Sequence, residues 1–360
     1  MDEGILKHEE KAVFSLRSLY RKYGYTPYKM SKFEEYEYYI RNKDFLISDR
    51  IITFNDTNGK LLALKPDVTL SIVRNGEDLA GYKQKVCYNE NIYRISDSTG
   101  QYKEILQTGL ECIGDIDLYD IFETVSLAAQ SLGLISEDFV LQISHMGLLT
   151  AVLDSISLDA EFRRQAIAFI GRKDAHDLIR LCQKYGIPDE QARLLTQLVT
   201  VHGSREAVLA CLTEWCGILA PEAMAELTEL SALLNRLPQS GRIIFDFSVV
   251  NNMNYYNGIV FTGFISGISD GILAGGQYDN LMRKLGRTSG AIGFALYLDL
   301  LEQLPEKKQE YDVDVLLVYG CHTPMDAVAD RAEKLIASGR SVSVQRTVPP
   351  KLRYRELVRI

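Results

Sequence analysis

The sequence predicts an α+β fold in which an antiparallel sheet is flanked by helices and interrupted by a helical insertion. Strand-like apolar runs form two blocks, from about 50 to 145 and from about 241 to 297, and turn signals join neighbouring runs. The segment between the blocks, about 147–238, has apolar residues at helical spacing. Grouped strands and grouped helices, rather than strict alternation, are typical of an α+β architecture.

The first strand block lies between two predicted helices. "HEEKAVFSLRSLYRKYGY" has helical apolar spacing and reaches Gly24, where a helix would end. "RIITFNDTNGKLLALKP" is typical of a hairpin, because an Asn-Gly turn separates two apolar arms. "KVCYNENIYRI" and "YKEILQTGLECIG" predict a second strand pair joined by the loop "SDSTG". "DLYDIFETVSLAAQSLG" then predicts a helix, and "FVLQIS" another strand.

The second strand block is followed by a charged linker and a short tail. "GRIIFDFSVV", "YYNGIVFTGFI" and "GILAGGQYDNLM" predict strands, and "PEKKQEY" is the linker. In the tail, "DVDVLLVY", a helix at about 324–338 and "SVSVQR" predict one strand–helix–strand unit. We therefore expect a core at 1–305, which contains the insertion at about 147–238, and a partial C-terminal α/β unit at 311–360. One such unit is very small for a domain, so we expect it to pack on the core, to pack on a partner, or to be incomplete.

Composition argues against several classes of function. The 360 residues include 40 Lys and Arg against 48 Asp and Glu, a net charge of -8, which disfavours nonspecific binding of nucleic acid. Six cysteines without a CxxC pair, together with five histidines, predict neither a metal site nor a disulfide framework. The acidic start lacks a continuous apolar core, and no apolar run approaches the roughly 18 residues of a membrane span. We expect a cytoplasmic protein with no cofactor and no membrane or nucleic-acid partner.

Three stretches concentrate polar residues on or beside predicted strands. In "LALKPDVTLSIVRNG", Asp67 and Thr69 follow a strand at the start of a helix, where they would also suit an N-cap. In "EILQTGLECIG", Gln107 and Glu111 share one face of a strand with a glycine between them. That face either leaves room for a ligand on the sheet or is simply solvated. In "GGQYDNL", paired glycines allow close backbone approach beside Tyr278.

Taken in order, these motifs resemble the catalytic core of histidyl-tRNA synthetase. The resemblance rests on "KYGY", "LKPDVT", "QTGLECIG", the insertion, "NNMNYYNGIVF", "GGQYDNL" and "GAIGFALYLDLL", and covers about 1–305. That family has a class II synthetase core, is dimeric, and binds histidine and ATP. The resemblance therefore implies a class II synthetase-like fold and a dimer.

The resemblance also implies a histidine-binding site. In the family pattern "RPEGT" the acid and the threonine hold the substrate ammonium, and they match Asp67 and Thr69, with one methylene fewer in the acid. The other matches are Gln107 and Glu111 in the second motif, Tyr255 and Tyr256 in "RGLDYY", and Tyr278 in "GGRYD". Carboxylates suit an ammonium and an imidazole N–H, while a tyrosine hydroxyl suits the other ring nitrogen.

The ATP-binding half of the family pattern is missing. Adenylation brings a carboxylate to an α-phosphate and needs fixed cations there. Asn251 and Asn254 replace the arginine and aspartate of "RGLDYY", and Leu300 replaces the arginine of "GFAMGLERL", which here is "GFALYLDLL". Arg94 survives from the second motif, but Ser96 stands at the adenine-binding glutamate. Losing one such donor costs on the order of a hundredfold to a thousandfold in rate, so we expect no adenylation and no catalytic residues. Arg94 is instead a possible partner for the carboxylate of histidine.

A synthetase-like core with a histidine pocket and no ATP site resembles the regulatory subunits of ATP phosphoribosyltransferase. The resemblance implies a non-catalytic subunit that joins the short catalytic subunit in the first step of histidine biosynthesis. Such a subunit is needed for the activity of its partner and for feedback inhibition by histidine. Two alternatives stay open: a divergent histidyl-tRNA synthetase, and a synthetase paralogue that binds another amino acid or modifies another protein.

Overall fold

The structure, a computed structural model, describes residues 7–43, 46, 50–76, 81–95, 99–250, 255–304 and 310–360, apart from the side chains of 214–217. The chain forms two compact units, Met1–Leu304 and Pro305–Ile360. Within the described ranges, the first unit contains a nine-stranded sheet with helices and a separate three-stranded sheet. The predicted α+β class is confirmed.

The elements of the described residues are numbered in chain order. The helices are α1 (His8–Lys22), α2 (Tyr36–Arg41), α3 (Val68–Asn75), α4 (Leu118–Ile135), α5 (Met146–Ile156), α6 (Ala160–Gly171), α7 (Ala175–Lys184), α8 (Asp189–Thr200), α9 (Arg205–Leu219), α10 (Pro221–Leu234), α11 (Asp279–Lys284) and α12 (Met325–Ala337). The strands are β1 (Thr26–Pro27), β2 (Phe33–Glu35), β3 (Thr53–Asn55), β4 (Leu61–Leu64), β5 (Gln84–Ile95), β6 (Tyr102–Gly114), β7 (Phe139–His145), β8 (His202–Gly203), β9 (Ile243–Asp246), β10 (Ile259–Ile265), β11 (Leu273–Gln277), β12 (Gly290–Tyr297), β13 (Val313–Val318), β14 (Val342–Gln345) and β15 (Tyr354–Arg359).

The large sheet is mainly antiparallel, but not entirely so. In the described part of the chain its strand order is β1-β5-β6-β12-β11-β10-β7-β9-β8. The pairs β1–β5 and β7–β9 are parallel, a detail that the prediction of an antiparallel sheet did not include. The helices α5 to α10 lie between β7 and β9 in the chain, and a connection of that kind is what a parallel pair requires.

The large sheet buries an apolar face against helices α1 and α4. Leu16 of α1 and Val125 of α4 are fully buried in one cluster with Leu110, Phe261 and Phe294 of the sheet. Burying one such leucine side chain contributes about 1.5–3 kcal/mol to stability. Because side chains alternate along a strand, the residues directly before and after Leu110, Phe261 and Phe294 point to the other face of the sheet.

The predicted hairpin is confirmed, and it leads directly to the polar residues of "LKPDVT". Strand β3 pairs antiparallel with β4, and β2 pairs with the other edge of β4. In the turn, Asp56 accepts hydrogen bonds from the backbone N–H groups of Asn58 and Lys60, each at 2.8 Å. Gly59 has a φ of 80°, which suits glycine. Strand β4 ends two residues before Pro66, and α3 begins at Val68.

The region predicted as a helical insertion contains α5 to α10. It also holds β8, a strand that the sequence did not predict, which pairs antiparallel with β9. Across the described ranges, no helix is long and apolar enough to cross a membrane.

The unit Pro305–Ile360 contains one strand more than the sequence predicted. Its sheet has β13 in the centre, with β14 and β15 parallel to it on either side. Strand β15 was missed because "YRELVR" is rich in charge rather than apolar. Such a composition suits an edge strand, where charged side chains discourage pairing with other chains.

Candidate ligand-binding site

The eight residues predicted to bind a ligand all line one cavity of about 170 Å³. They are Asp67, Thr69, Arg94, Gln107, Glu111, Tyr255, Tyr256 and Tyr278. The other lining residues are Leu46, Val68, Tyr88, Ala274, Gly293, Phe294, Ala295 and Tyr297. Pockets for drug-sized ligands measure roughly 300–1,000 Å³, so this cavity suits a smaller molecule such as an amino acid. The binding role of the eight residues stays a prediction.

The pairing of β6 with β12 forms the floor of the cavity. Glu111 lies opposite Gly293, and Gln107 lies opposite Tyr297. A Cβ atom at Gly293 would lie 1.8 Å from Oε2 of Glu111 and 2.4 Å from the carbonyl oxygen of Leu110. Glycine is therefore required at position 293 for the Glu111 carboxylate to lie over the sheet.

Glu111 is the central polar group of the cavity. Thr69 donates its hydroxyl to Oε1 of Glu111 at 2.7 Å, and Tyr278 donates its hydroxyl to Oε2. Burial raises the pKa of Glu111 to about 8, although the two hydroxyl donors oppose the rise. At neutral pH Glu111 is therefore mostly protonated. A ligand that donates a hydrogen bond or carries a positive charge would favour the ionised form.

Three tyrosine rings form the wall beside Glu111. The ring centroid of Tyr255 lies 4.6 Å from that of Tyr256 and 5.5 Å from that of Tyr278. Burial raises the pKa of each hydroxyl well above its usual value, so all three stay neutral. The sequence placed Tyr255 and Tyr256 on a strand, and this was wrong, because β10 begins only at Ile259. The intervening Asn257 and Gly258 are typical turn residues and delay the start of the strand.

Asp67 both caps helix α3 and lines the cavity, the two roles that its sequence position allowed. Its Oδ1 accepts a hydrogen bond from the backbone N–H of Leu70 at 2.9 Å, so it is the N-cap of α3. Its Oδ2 lies 3.9 Å from a guanidinium nitrogen of Arg94, and Asp67 is one of the residues that line the cavity. Burial raises the pKa of Asp67, and the Arg94 charge opposes the rise. Capping uses one oxygen, and the other can still receive a ligand.

Arg94 supplies a fixed positive charge. Its Nε donates to the carbonyl oxygen of Pro66 at 3.0 Å, which holds the guanidinium beside Asp67. Among the described residues that line the cavity, Arg94 is the one cationic side chain. It is therefore placed to meet an anionic group of a ligand.

The family model of histidyl-tRNA synthetase matches residues 3–301 of this chain. An ATP phosphoribosyltransferase regulatory subunit from Caldanaerobacter subterraneus is 30% identical over 291 residues, which cover 79% of this chain and 75% of the relative. The regulatory subunit from Clostridium kluyveri is 29% identical over 339 residues, which cover 90% and 85%. The chain belongs to the histidyl-tRNA synthetase family, within its ATP phosphoribosyltransferase regulatory subunits.

Solved structures of this family have the same fold. An ATP phosphoribosyltransferase regulatory subunit/histidyl-tRNA synthetase from Bacillus halodurans superimposes with a TM-score of 0.79, covering 98% of this chain and 93% of that chain at 22% identity. A chain from the ATP phosphoribosyl transferase complex of Thermotoga maritima superimposes with a TM-score of 0.64, covering 81% and 97% at 19% identity. The predicted class II synthetase-like fold is confirmed.

Of the substituted positions Ser96, Asn251, Asn254 and Leu300 in the family's ATP-binding motifs, Leu300 lies in the described part of the chain. Asn251, Asn254 and Ser96 lie outside the described residues. Leu300, at the position of the family's third-motif arginine, lies in the 3-10 helix Leu298–Gln303 and packs against the apolar core. An apolar side chain in contact with the core provides no cation for a phosphate.

Two features of the cavity were missed from the sequence. The glycine between Gln107 and Glu111 does not leave open space, because the hydroxyl end of Tyr88 lies over it, 2.5 Å from where a Cβ of Gly109 would be. Tyr88 occupies this space because β5 pairs with β6, and this pairing places Tyr88 of β5 opposite Gly109 of β6. Gly293, Ala295 and Tyr297 also line the cavity. The alternation of small residues in "GAIGFALY" was the signal that could have identified this strand as part of the floor.

Proposed function

We propose that this chain is a non-catalytic subunit that binds histidine in the cavity around Glu111 and regulates a short-form ATP phosphoribosyltransferase catalytic subunit. In this role it is required for the activity of its partner and transmits feedback inhibition by histidine in the first step of histidine biosynthesis. The observation that carries the proposal is the buried carboxylate of Glu111, which Thr69 and Tyr278 orient toward a cavity of amino-acid size.

The charges of the cavity suit the three polar groups of histidine. We propose that Asp67 and the hydroxyl of Thr69 bind the α-ammonium and that Arg94 binds the carboxylate, which is supported by their presence in one cavity. Glu111 can accept from an imidazole N–H, while a neutral tyrosine hydroxyl can donate to the other ring nitrogen. Charge-assisted hydrogen bonds of this kind are about twice as strong as neutral ones.

The same charges do not suit adenylation. Phosphate activation needs several fixed cations where negative charge accumulates. The described lining of the cavity contains a single cation, Arg94, and Leu300, in contact with the core, supplies no second one. We therefore assign no catalytic residue to the chain.

The proposed partner follows from the relatives. The relatives from Clostridium kluyveri and Caldanaerobacter subterraneus are named as regulatory subunits of ATP phosphoribosyltransferase, and the Thermotoga maritima neighbour comes from a complex of that enzyme. We propose that this chain forms a dimer of its own and assembles with the short catalytic subunit. A coupling of about 1–3 kcal/mol between histidine and the catalytic site would alter activity roughly fivefold to 150-fold.

Reconstitution tests the proposal. The full chain is mixed with a short-form catalytic subunit, and phosphoribosyl-ATP formation is measured with and without histidine. We expect this chain to activate the catalytic subunit and histidine to inhibit the mixture. Glu111→Ala should assemble and activate but abolish inhibition by histidine. Failure to activate would refute the partner, and unchanged inhibition in Glu111→Ala would refute the pocket.

A second candidate, an active histidyl-tRNA synthetase, is favoured by the family model that matches residues 3–301. Histidine-dependent exchange between ATP and pyrophosphate measures adenylation directly. Robust exchange by the purified chain would replace our proposal with this candidate. Calorimetry against a panel of amino acids covers the remaining alternative, because a paralogue for another amino acid would prefer that ligand to histidine.

A further inference from the structure

Strand β12 gives the cavity two different ends. Gly293, Ala295 and Tyr297 all line the cavity from the same face of this strand. At about 3.3 Å per residue, the Cα atoms of Gly293 and Tyr297 are about 13 Å apart. The residues of β12 that line the cavity therefore increase in size along the strand, from Gly293 beneath Glu111, through Ala295, to the aromatic ring of Tyr297 at the far end.

The backbone of Tyr297 is held by its neighbours in the sheet. The backbone N–H of Tyr297 donates to the carbonyl oxygen of Ile272 at 2.8 Å. On the other side of β12, Tyr297 pairs with Gln107 of β6. Burial raises the pKa of Tyr297, while the nearby positive charge of Arg94 opposes the rise. Arg94 is itself anchored to Pro66. Tyr297 and Arg94 both line the cavity.

The end of the cavity at Tyr297 is the end where a ligand carboxylate would lie. Arg94, the proposed carboxylate partner, lines the same cavity, close enough for its charge to act on the Tyr297 hydroxyl. Adenylation extends a carboxylate into a phosphate, so a nucleotide must continue beyond this point. In the family motif "GFAMGLERL" the residue at this position is glycine, whereas "GFALYLDLL" has Tyr297. A glycine would leave the end open, and a tyrosine ring fills it.

Building on the proposed histidine site, we infer that Tyr297 is a specificity-determining residue that closes the carboxylate end of the cavity. The site then accepts a free amino acid with an ionised carboxylate and rejects a ligand extended at that carboxylate, such as an acyl adenylate. A regulatory site of this kind senses free histidine without competition from activated histidine.

Calorimetry on the full chain tests this inference with two probes, L-histidine and histidyl-sulfamoyl adenosine, a hydrolysis-resistant mimic of histidyl adenylate. Wild type should bind L-histidine and bind the mimic at least about tenfold more weakly. Tyr297→Gly should gain at least about tenfold in affinity for the mimic. Tyr297→Phe, the control with the same bulk, should still reject it.

The outcomes separate the two claims. If wild type binds the mimic as tightly as L-histidine, or if Tyr297→Gly and Tyr297→Phe reject it equally, the inference is wrong and the histidine site stands. If wild type does not bind L-histidine, the proposed ligand is wrong and the inference falls with it. Tyr297→Ala replaces Tyr297→Gly if thermal melting shows that the glycine variant is unfolded, and the same gain is required of it.

Discussion

On strand β6, Leu110 and Cys112 point into the apolar cluster with helices α1 and α4, whereas Gln107 and Glu111 point into the cavity. All four side chains are at most 4% exposed. Burial of Leu110 stabilises the fold, but burial of Glu111 raises its pKa to about 8 and so disfavours its ionised form. The same degree of burial therefore stabilises the fold on the apolar face and destabilises an ionised carboxylate on the cavity face. Ligand chemistry is expected on the cavity face, where the pKa is perturbed.

The largest effect is expected on the apolar face. Leu110→Ala should lower the free energy of unfolding by about 2–5 kcal/mol, because it leaves a cavity in the core. Urea denaturation followed by circular dichroism measures this loss. The folded fraction should still bind histidine with nearly the wild-type affinity. A loss below about 1 kcal/mol would contradict the structural role of this face.

Glu111→Gln should mainly weaken histidine binding rather than lower the stability of the fold. A hydrogen bond to a charged group contributes about 1.5–3 kcal/mol, so histidine affinity should fall roughly tenfold to 150-fold. The folded state holds the Glu111 proton more tightly than the unfolded state, whose pKa is about 4.3. The stability that Glu111 contributes is therefore lost as pH rises toward about 8, and the variant should lose less stability there than wild type. Calorimetry and pH-dependent melting measure the two effects, and greater alkaline instability in the variant would refute the assignment.

The raised pKa of Glu111 also predicts proton release on binding. Below about pH 8 the empty site is mostly protonated, whereas the histidine complex needs the carboxylate. Affinity should rise by up to about tenfold per pH unit between roughly pH 7 and 8, then level off. Titrations in buffers of different ionisation enthalpy count the released protons. Glu111→Gln should remove the release, and an equal release in that variant would assign it to another group.

The smallest effect on stability is expected at Asp67. Asparagine is as good an N-cap as aspartate, so Asp67→Asn should preserve stability while weakening histidine binding through the lost charge. Asp67→Ala should in addition cost about 0.5–2 kcal/mol of stability. Melting temperatures and calorimetry distinguish the two roles. If both variants bind histidine like wild type, Asp67 is only a cap.

Much of the fold was predictable from local patterns. The turn "NDTNG" between two apolar arms and the long apolar spacing of "DLYDIFETVSLAAQSLG" are local signals, and both elements form as predicted. The site residues were found through motif order, because each motif places polar residues at a strand end or on one strand face. Each pattern also suits a structural role, so it was the resemblance to histidyl-tRNA synthetase that brought Asp67, Glu111 and Tyr278 into one predicted site, and all three line one cavity.

The rest depends on contacts between distant segments. Tyr88 fills the space above Gly109 because strand pairing places them opposite each other, and no local pattern reveals that register. Tyr297 lies near Arg94 because β12 pairs with β6, and no local pattern shows that either. The parallel pairing of β9 with β7 is likewise a consequence of the whole topology.

That parallel pairing limits how the protein can be shortened. Leu141 of β7 and Ile243 of β9 are direct neighbours, and because the strands are parallel, the chain leaves β7 at its far end and must cross back before it enters β9. A tight turn cannot link two parallel neighbours, which need a crossover of about a dozen residues or more. We expect a minimised protein to tolerate removal of most of these helices only if one is kept as a bridge. Directly fusing the two strands should instead abolish soluble expression.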